Sequence, residues 1–505
     1  MNGFPILTLL TLLPLVGAAI AIFSGRHARG VALLTSLFSL ALALVAWMHI
    51  PANGSIGLVE RIAWAPSLGI EYHLGVDGLG ALMLVLSAIV TLMAADASIR
   101  VHHAPGLYFA LMLVLEAGLF GSFTALNFFH WFLFWELSLI PAFFLIKLWG
   151  GPRRGPAATQ FFVYTMAGSA FLLISFLAVF LATGSMDFGH LSLLASTGEL
   201  EQMITAHLGP VSLWLAIGVL AGFAVKVPLA PFHTWLPDAY AEAPTPVTML
   251  LTGAMSKMGV YGLLRIAVPL FGAQIAQMRT PLLVLAVLTV VMGAWAAAAQ
   301  KDLKRVFAYS SVNHLGYCLL AIFALAVPAS GAAQQASQAA ALNGVILQMF
   351  NHGITAAALF WFISMLQFRT NGLRGIDDFG GLRKPAPVFA GLMGIALFSS
   401  LGLPGLNGFV GEFLIFRGVF SLSWISATVS VLGLLVTAAV ILTVIQKVFA
   451  GPLPERYAAF PDLHTSERMA LAPVIALMFL LGLVPQLIVD SVNPTVVNLL
   501  THWRF

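Results

Sequence analysis

Apolar residues run along almost the whole chain in stretches of about 20, and polar residues gather in short breaks between them. Each stretch is long enough to cross a hydrocarbon core of ~30 Å as a helix. The pattern predicts about fourteen spans, over residues 4–23, 31–49, 78–96, 107–124, 127–148, 158–182, 211–230, 244–268, 281–299, 304–326, 338–366, 386–416, 424–448 and 470–489. The fold class this implies is an all-α polytopic membrane protein. The long alternating apolar and polar pattern of an outer-membrane barrel is absent from the sequence.

Composition agrees with the pattern. Of 505 residues, 60% are hydrophobic and 8% charged, more apolar surface than a water-soluble chain of this length can bury. A net charge of +4 gives no reason to expect nucleic acid. The single cysteine, Cys318, rules out a disulfide framework and a cysteine-ligated cluster within the chain. No basic stretch precedes the first apolar run, so a cleaved signal peptide is not expected.

The placement of basic residues tests the count. With the N-terminus outside, the inner loops hold Arg26, Arg29, Arg100, Lys147, Arg153, Arg154, Lys301, Lys304, Arg305, Arg369, Arg374, Arg383, Lys384, Lys447, Arg456 and Arg468. The outer loops and ends hold Arg61, Arg265, Arg279, Arg417 and Arg504. A miscount by one span would scramble this positive-inside bias, and it predicts both termini outside, on the periplasmic face of a bacterial cytoplasmic membrane. Lys226 and Lys257 fit neither set, because both lie within spans.

Charge at mid-membrane costs ~2.5–3.5 kcal/mol per residue on insertion scales, so it points first to function. Glu116, Glu136, Lys226, Lys257 and Glu412 are such groups, with His314 and His352 as polar company. Their depths agree. Glu136 lies about 16 Å along its helix from Lys147 at the inner edge, and His314 about 15 Å from Lys304 at the same edge. Groups at one depth on many helices suggest a line in the membrane plane rather than a pore across it. Plainer readings exist: Lys226 could snorkel to the inner interface, the glutamates could neutralise lysines, and the histidines could be satisfied core residues.

Pro228 and Pro231 follow Lys226, and "LPGLNG" at 403–408 precedes Glu412. Each should interrupt a helix, and an interruption is tolerated in a membrane only beside protein or water. Glu136 precedes Lys226 by about 90 residues, and His314 precedes Glu412 by about 98. The five-helix offset reverses topology, the mark of two inverted repeats with broken helices seven and twelve. This divides the chain into 1–105 (helices 1–3), 106–270 (first repeat), 271–450 (second repeat) and 451–505 (last helix).

"FWELSLIPAFFLI", "KVPLAPFHTWLPDAYAEAPTPV", "SKMGVYGLLR", "KDLKRVFAYSSVNHLGY" and "LPGLNGFVGEFLIF" closely resemble the antiporter-like proton-channel subunits of respiratory complex I, and the resemblance covers nearly the whole chain. It implies that Glu136 pairs with Lys226, that Lys257 links two half-channels, and that Glu412 leads to the exit or the next subunit. Glutamate rather than lysine at that last position resembles the M-type branch, the counterpart of mitochondrial subunit 4. Glu116, His314 and His352 extend the same line. The resemblance also implies no cofactor in this chain. NADH, FMN, iron–sulfur clusters and quinone would belong to partner subunits, beside L and N antiporter-like paralogues and small membrane subunits.

Two other readings compete. Subunits of multi-subunit cation/proton antiporters, membrane-bound hydrogenases and ferredoxin-fed photosynthetic complexes share the motifs. A haem-bearing quinol oxidase would need histidines paired across helices as axial ligands, and His314 with His352 supplies at most one pair.

Overall fold

The computed structural model describes residues 4–65 and 68–505. Among the described residues, twelve helices are long and apolar enough to cross a membrane: Ile6–Phe23, Gly25–Met48, Gly78–Ala97, Pro105–Thr124, Phe128–Trp149, Arg154–Thr183, Thr245–Gln277, Arg279–Ala298, Leu303–Ala324, Ala332–Arg369, Trp424–Phe449 and Thr465–Leu483. Ser212–Lys226 adds a thirteenth if it is taken with Glu199–Leu208, to which it stands at 107°. Local chemistry sets many of the ends. The side chains of Asp77, Asn127, Asp187 and Asp302 each accept a backbone N–H of the first helical turn. Gly184 closes the helix Arg154–Thr183 with φ +69°, a conformation other residues adopt at a penalty.

Burial sorts the helices into an inner and an outer set. Gly78–Ala97, Thr245–Gln277, Leu303–Ala324 and Ala332–Arg369 are buried on nearly all sides. Gly25–Met48, Trp424–Phe449 and Thr465–Leu483 expose Phe38, Trp424, Leu435 and Met469, as lipid-facing helices should. Lys257, His314 and His352 therefore lie on helices shielded from lipid. Close approach also needs small residues. A Cβ on Gly118 would lie 2.8 Å from the Ser138 nitrogen, so only glycine lets the Glu116 helix pack this closely beside the Glu136 helix.

Several elements differ from the expectation. The chain is mostly helical but not all-α: β1 (Gly57–Ala65) and β2 (Ile70–Val76) form an antiparallel hairpin with Arg61 opposite His73. These strands are too short and too charged to register in a search for spans. The hairpin caps the first helix, because the Glu60 carboxylate accepts the Leu7 and Thr8 amides at 2.8 and 3.1 Å. The stretch 386–416 comprises two helices, Pro387–Ser400 and Asn407–Leu422. Gly402 and Gly405, at φ +76° and +93°, turn the chain between them. The stretch 211–230 is helical only from Ser212 to Lys226, and helix resumes at Trp235–Glu242. The last stretch ends at Leu483 and is followed by a separate helix, Gln486–His502. The short helices Phe188–Thr197 and Glu199–Leu208 lie between predicted spans.

Candidate functional site: a buried polar line

The helix Thr245–Gln277 holds the centre of the site. Two π-helical turns, Leu251–Met255 and Leu263–Ala267, flank a short α segment that begins at Lys257. A π turn shifts the i→i−4 pattern and frees carbonyls for other donors. Lys257 uses one of them. Its Nζ, in a side chain with no exposure, donates to the Thr252 carbonyl at 2.5 Å. It also lies 2.8 Å from His352 Nδ1 and 3.4 Å from Ser256 Oγ.

The line continues through the histidines. The His352 and His314 rings are 5.2 Å apart between centroids. His314 Nδ1 stands 3.0 Å from Glu412 Oε1, and its Nε2 3.4 Å from Ser400 Oγ. Gln348 donates to the same Glu412 oxygen at 3.3 Å. The carboxylate is the shorter of the two contacts at His314 Nδ1, which lies 3.5 Å from the Gln348 amide nitrogen. The break at 401–406 makes room for Glu412: a Cβ on Gly402 would lie 2.6 Å from its Oε2.

Lys226 stands at the other side of Lys257. It is the last residue of its helix and 3% exposed, and its ammonium lies 4.7 Å from the centroid of the Trp135 ring. A cavity of about 10 Å³, at the lower limit for one water, is lined by Lys226, Tyr240 and Ser256. Ser256 thus lines the cavity beside Lys226 and lies 3.4 Å from the Lys257 ammonium. Glu136, the expected partner of Lys226, makes no ion pair with it, and Glu136 Oε1 is buried without a hydrogen-bond partner among the described residues. Glu116 stands further off the line. It is fully buried, its two oxygens likewise lack a partner, and its helix packs on the helix whose Ser36 and Ser39 hydroxyls are also unpaired.

The structure therefore brings Lys257, His352, His314 and Glu412 into one row and sets Lys226 beside it. It does not join Glu136 to Lys226 directly, and it leaves Glu116 apart. Thr252, Ser256, Gln348 and Ser400 were not foreseen. Gln348 carries a signal, because it precedes His352 by four residues and so shares its face. Small hydroxyl residues are too common in membrane helices to stand out.

Lys304, read from the sequence as a loop charge, is 2% exposed and donates to the Ala243 carbonyl at 2.6 Å. Arg374 donates to the Ala241 carbonyl at 2.6 Å and pairs with Asp302 at 2.7 Å and Glu242 at 3.5 Å. Arg305 pairs with Asp238. These basic groups satisfy the last carbonyls of Trp235–Glu242 and fix that helix to the start of the His314 helix. An open cavity of about 790 Å³ is lined by Arg29, Asp96, Arg100, Glu242, Lys304 and Arg374. Beyond it, Ser311 Oγ lies 3.0 Å from Thr252 Oγ1, and the Thr252 carbonyl is the one Lys257 holds.

Comparisons with known proteins find relatives along the whole chain. Residues 125–441 match the family described as NADH:quinone oxidoreductase/Mrp antiporter, TM. The chain is 35% identical to the NADH-quinone oxidoreductase subunit M of Rhodobacter capsulatus, across 99% of this chain and 97% of that one. It is 32% identical to the subunit M of Rickettsia bellii, across the full length of both. Among solved structures, a chain of respiratory complex I from Thermus thermophilus with bound NADH superposes with a TM-score of 0.86. That pair is 28% identical, over 99% of this chain and 100% of the other.

The chain belongs to the antiporter-like, proton-translocating membrane subunits of the NADH:quinone oxidoreductase/Mrp antiporter family. Within that family it is of the subunit M type, a multi-pass protein of a bacterial inner membrane that works beside other membrane subunits.

Proposed function

We propose that this subunit carries protons in the plane of the membrane along Glu136, Lys226, Lys257, His352, His314 and Glu412. The observation that carries the reading is the row of buried contacts from Lys257 through His352, at 2.8 Å, to His314 and Glu412, at 3.0 Å. Every member holds or releases a proton, and from Lys257 to Glu412 the members follow one another in a buried row. One water in the Lys226–Ser256 cavity joins the two lysines. A second, or a turn of an imidazole ring, spans the two histidines.

Glu136 acts on Lys226 by approaching and withdrawing. At ~4 Å and an effective dielectric near 20, their attraction is about 4 kcal/mol, enough to switch the lysine between holding and releasing its proton. The arrangement in hand is the withdrawn one. Protons reach Lys257 from the inner cavity past Lys304, Ser311 and Thr252. Glu412 passes them to an exit or to the next subunit. Glu116 is a buried proton-holding group beside this line.

In the same reading there are fourteen spans. The pair Pro387–Ser400 and Asn407–Leu422 is one broken span, and Ser212–Lys226 with the turn after it is another. The segments 106–270 and 271–450 are inverted repeats, flanked by 1–105 and 451–505, and both termini face outside. Electron transfer from NADH to quinone, with FMN and iron–sulfur clusters, takes place in partner subunits, and L and N paralogues flank this one.

Lys226→Arg tests the proton role. Guanidinium keeps the charge but releases no proton at working pH. Membrane vesicles carrying this variant should assemble the complex and pump poorly. Pumping at the normal rate would remove Lys226 from the path.

A further inference from the structure

We propose that Glu71, His73 and Asp187 form a binding site for a borderline divalent metal ion of the Zn²⁺ class, which ties the β-hairpin to the start of helix Phe188–Thr197. One donor atom from each residue already lies within 4.8 Å of the others. In a tetrahedral zinc site with bonds of 2.0–2.2 Å, donors sit about 3.4 Å apart, so small side-chain rotations close the gap.

The scaffold fixes the three residues. Glu71 and His73 are two apart on β2 and point to one side of it. Asp187 is the N-cap of Phe188–Thr197, and its Oδ1 accepts the His190 amide at 2.8 Å. The backbone at 126–128 bridges the two pieces. Leu126 N donates to the His73 carbonyl at 2.9 Å, Phe188 N to the Leu126 carbonyl at 2.9 Å, and Phe128 N to the Met186 carbonyl at 2.8 Å. None of the three residues belongs to the buried polar line.

The donor set is one imidazole and two carboxylates. Nitrogen with anionic oxygen suits Zn²⁺, and three protein ligands leave a fourth position for water. His73 Nδ1 lies 2.7 Å from Asp187 Oδ2, and the metal would take the place of the proton they share. Asp187 is held by His73 at one oxygen and by the His190 amide at the other, so its carboxylate is fixed in place.

Arg61 is the competing cation. It pairs with Glu71 Oε2 at 2.7 Å, which leaves Oε1 without a partner among the described residues and keeps the carboxylate oriented, as an outer-shell partner does. The side chains of Glu71, His73 and Asp187 are 27%, 12% and 17% exposed, open enough for an ion to reach them and enclosed enough to hold it. His73 also lines a cavity of about 490 Å³ that opens to the surface.

The test uses the full chain in the membrane complex with which it is purified, stripped with a chelator and titrated with Zn²⁺ against a chromophoric zinc indicator. Glu71→Gln, His73→Gln and Asp187→Asn are compared with the unaltered chain. Each should weaken one zinc site per complex by at least about tenfold. Glu71→Gln leaves the His73–Asp187 contact in place, so it carries the test even if the other two assemble poorly. The same number of zinc ions bound with the same affinity in Glu71→Gln as in the unaltered complex would overturn the proposal.

Discussion

Replacing His352 is the sharpest single perturbation of the polar line. The Lys257 ammonium is fully buried, and His352 Nδ1, at 2.8 Å, is one of its three partners. His352→Phe keeps much of the ring volume and removes the acceptor. A hydrogen bond to a charged group contributes about 1.5–3 kcal/mol. If that loss falls on the transfer step, the rate drops about 10–150-fold at 1.36 kcal/mol per decade. His352→Gln separates the two functions of the residue. An amide oxygen can still accept from Lys257, but an amide does not relay a proton near neutral pH. Both variants should assemble, and both should pump slowly in inside-out membrane vesicles that oxidise NADH, read with a ΔpH-sensitive dye. Normal pumping in His352→Gln would mean that the imidazole only supports Lys257. Normal pumping in His352→Phe would remove it from the mechanism.

Two further predictions use the glycine beside Glu412 and the aspartate beside the hairpin. Gly402→Ala forces a Cβ to within 2.6 Å of Glu412 Oε2 at a backbone φ of +76°, so it should displace the carboxylate from His314 and lower pumping without removing any titratable group. A pumping rate equal to that of the unaltered chain would show that the Glu412 position is not critical. Asp187 has a depressed folded pKa, so its stabilisation is fully present above the unfolded value of ~3.9 and is lost as pH falls through the folded value. The hydrogen-exchange protection factor at the His190 amide, which Asp187 holds, should therefore fall on acidification, and Asp187→Ala should produce the same loss of protection at neutral pH, about 0.5–2 kcal/mol for a lost N-cap. Protection at this amide that does not change in the variant would refute this.

The sequence made the membrane class legible, because an apolar run of 20 residues has few other physical uses. It also singled out Lys257, His352, His314 and Glu412, because ionisable groups at mid-span are costly enough to be conspicuous. Which of them touch was not legible. The contact between Lys257 and His352 joins residues 95 positions apart and depends on how two buried helices pack and on a π turn that no periodicity reveals. Lys304 was misplaced for a related reason. Its distance from the span centre marked it as a loop charge, but it lies in the first turn of Leu303–Ala324, and Ala243, just past Trp235–Glu242, supplies its acceptor. The hairpin escaped notice because Glu60, Arg61, Glu71 and His73 break up its apolar pattern.

The measurement that tests the line most directly is a double-mutant cycle on the initial proton-pumping rate, with Lys226→Ala and Glu412→Gln at its two ends. The two side chains do not touch, so independent roles would give effects that add as free energies. Serial positions on one path predict that the double variant pumps no worse than the slower single variant, because a path blocked once is already blocked. Effects that add in full would contradict a shared proton line.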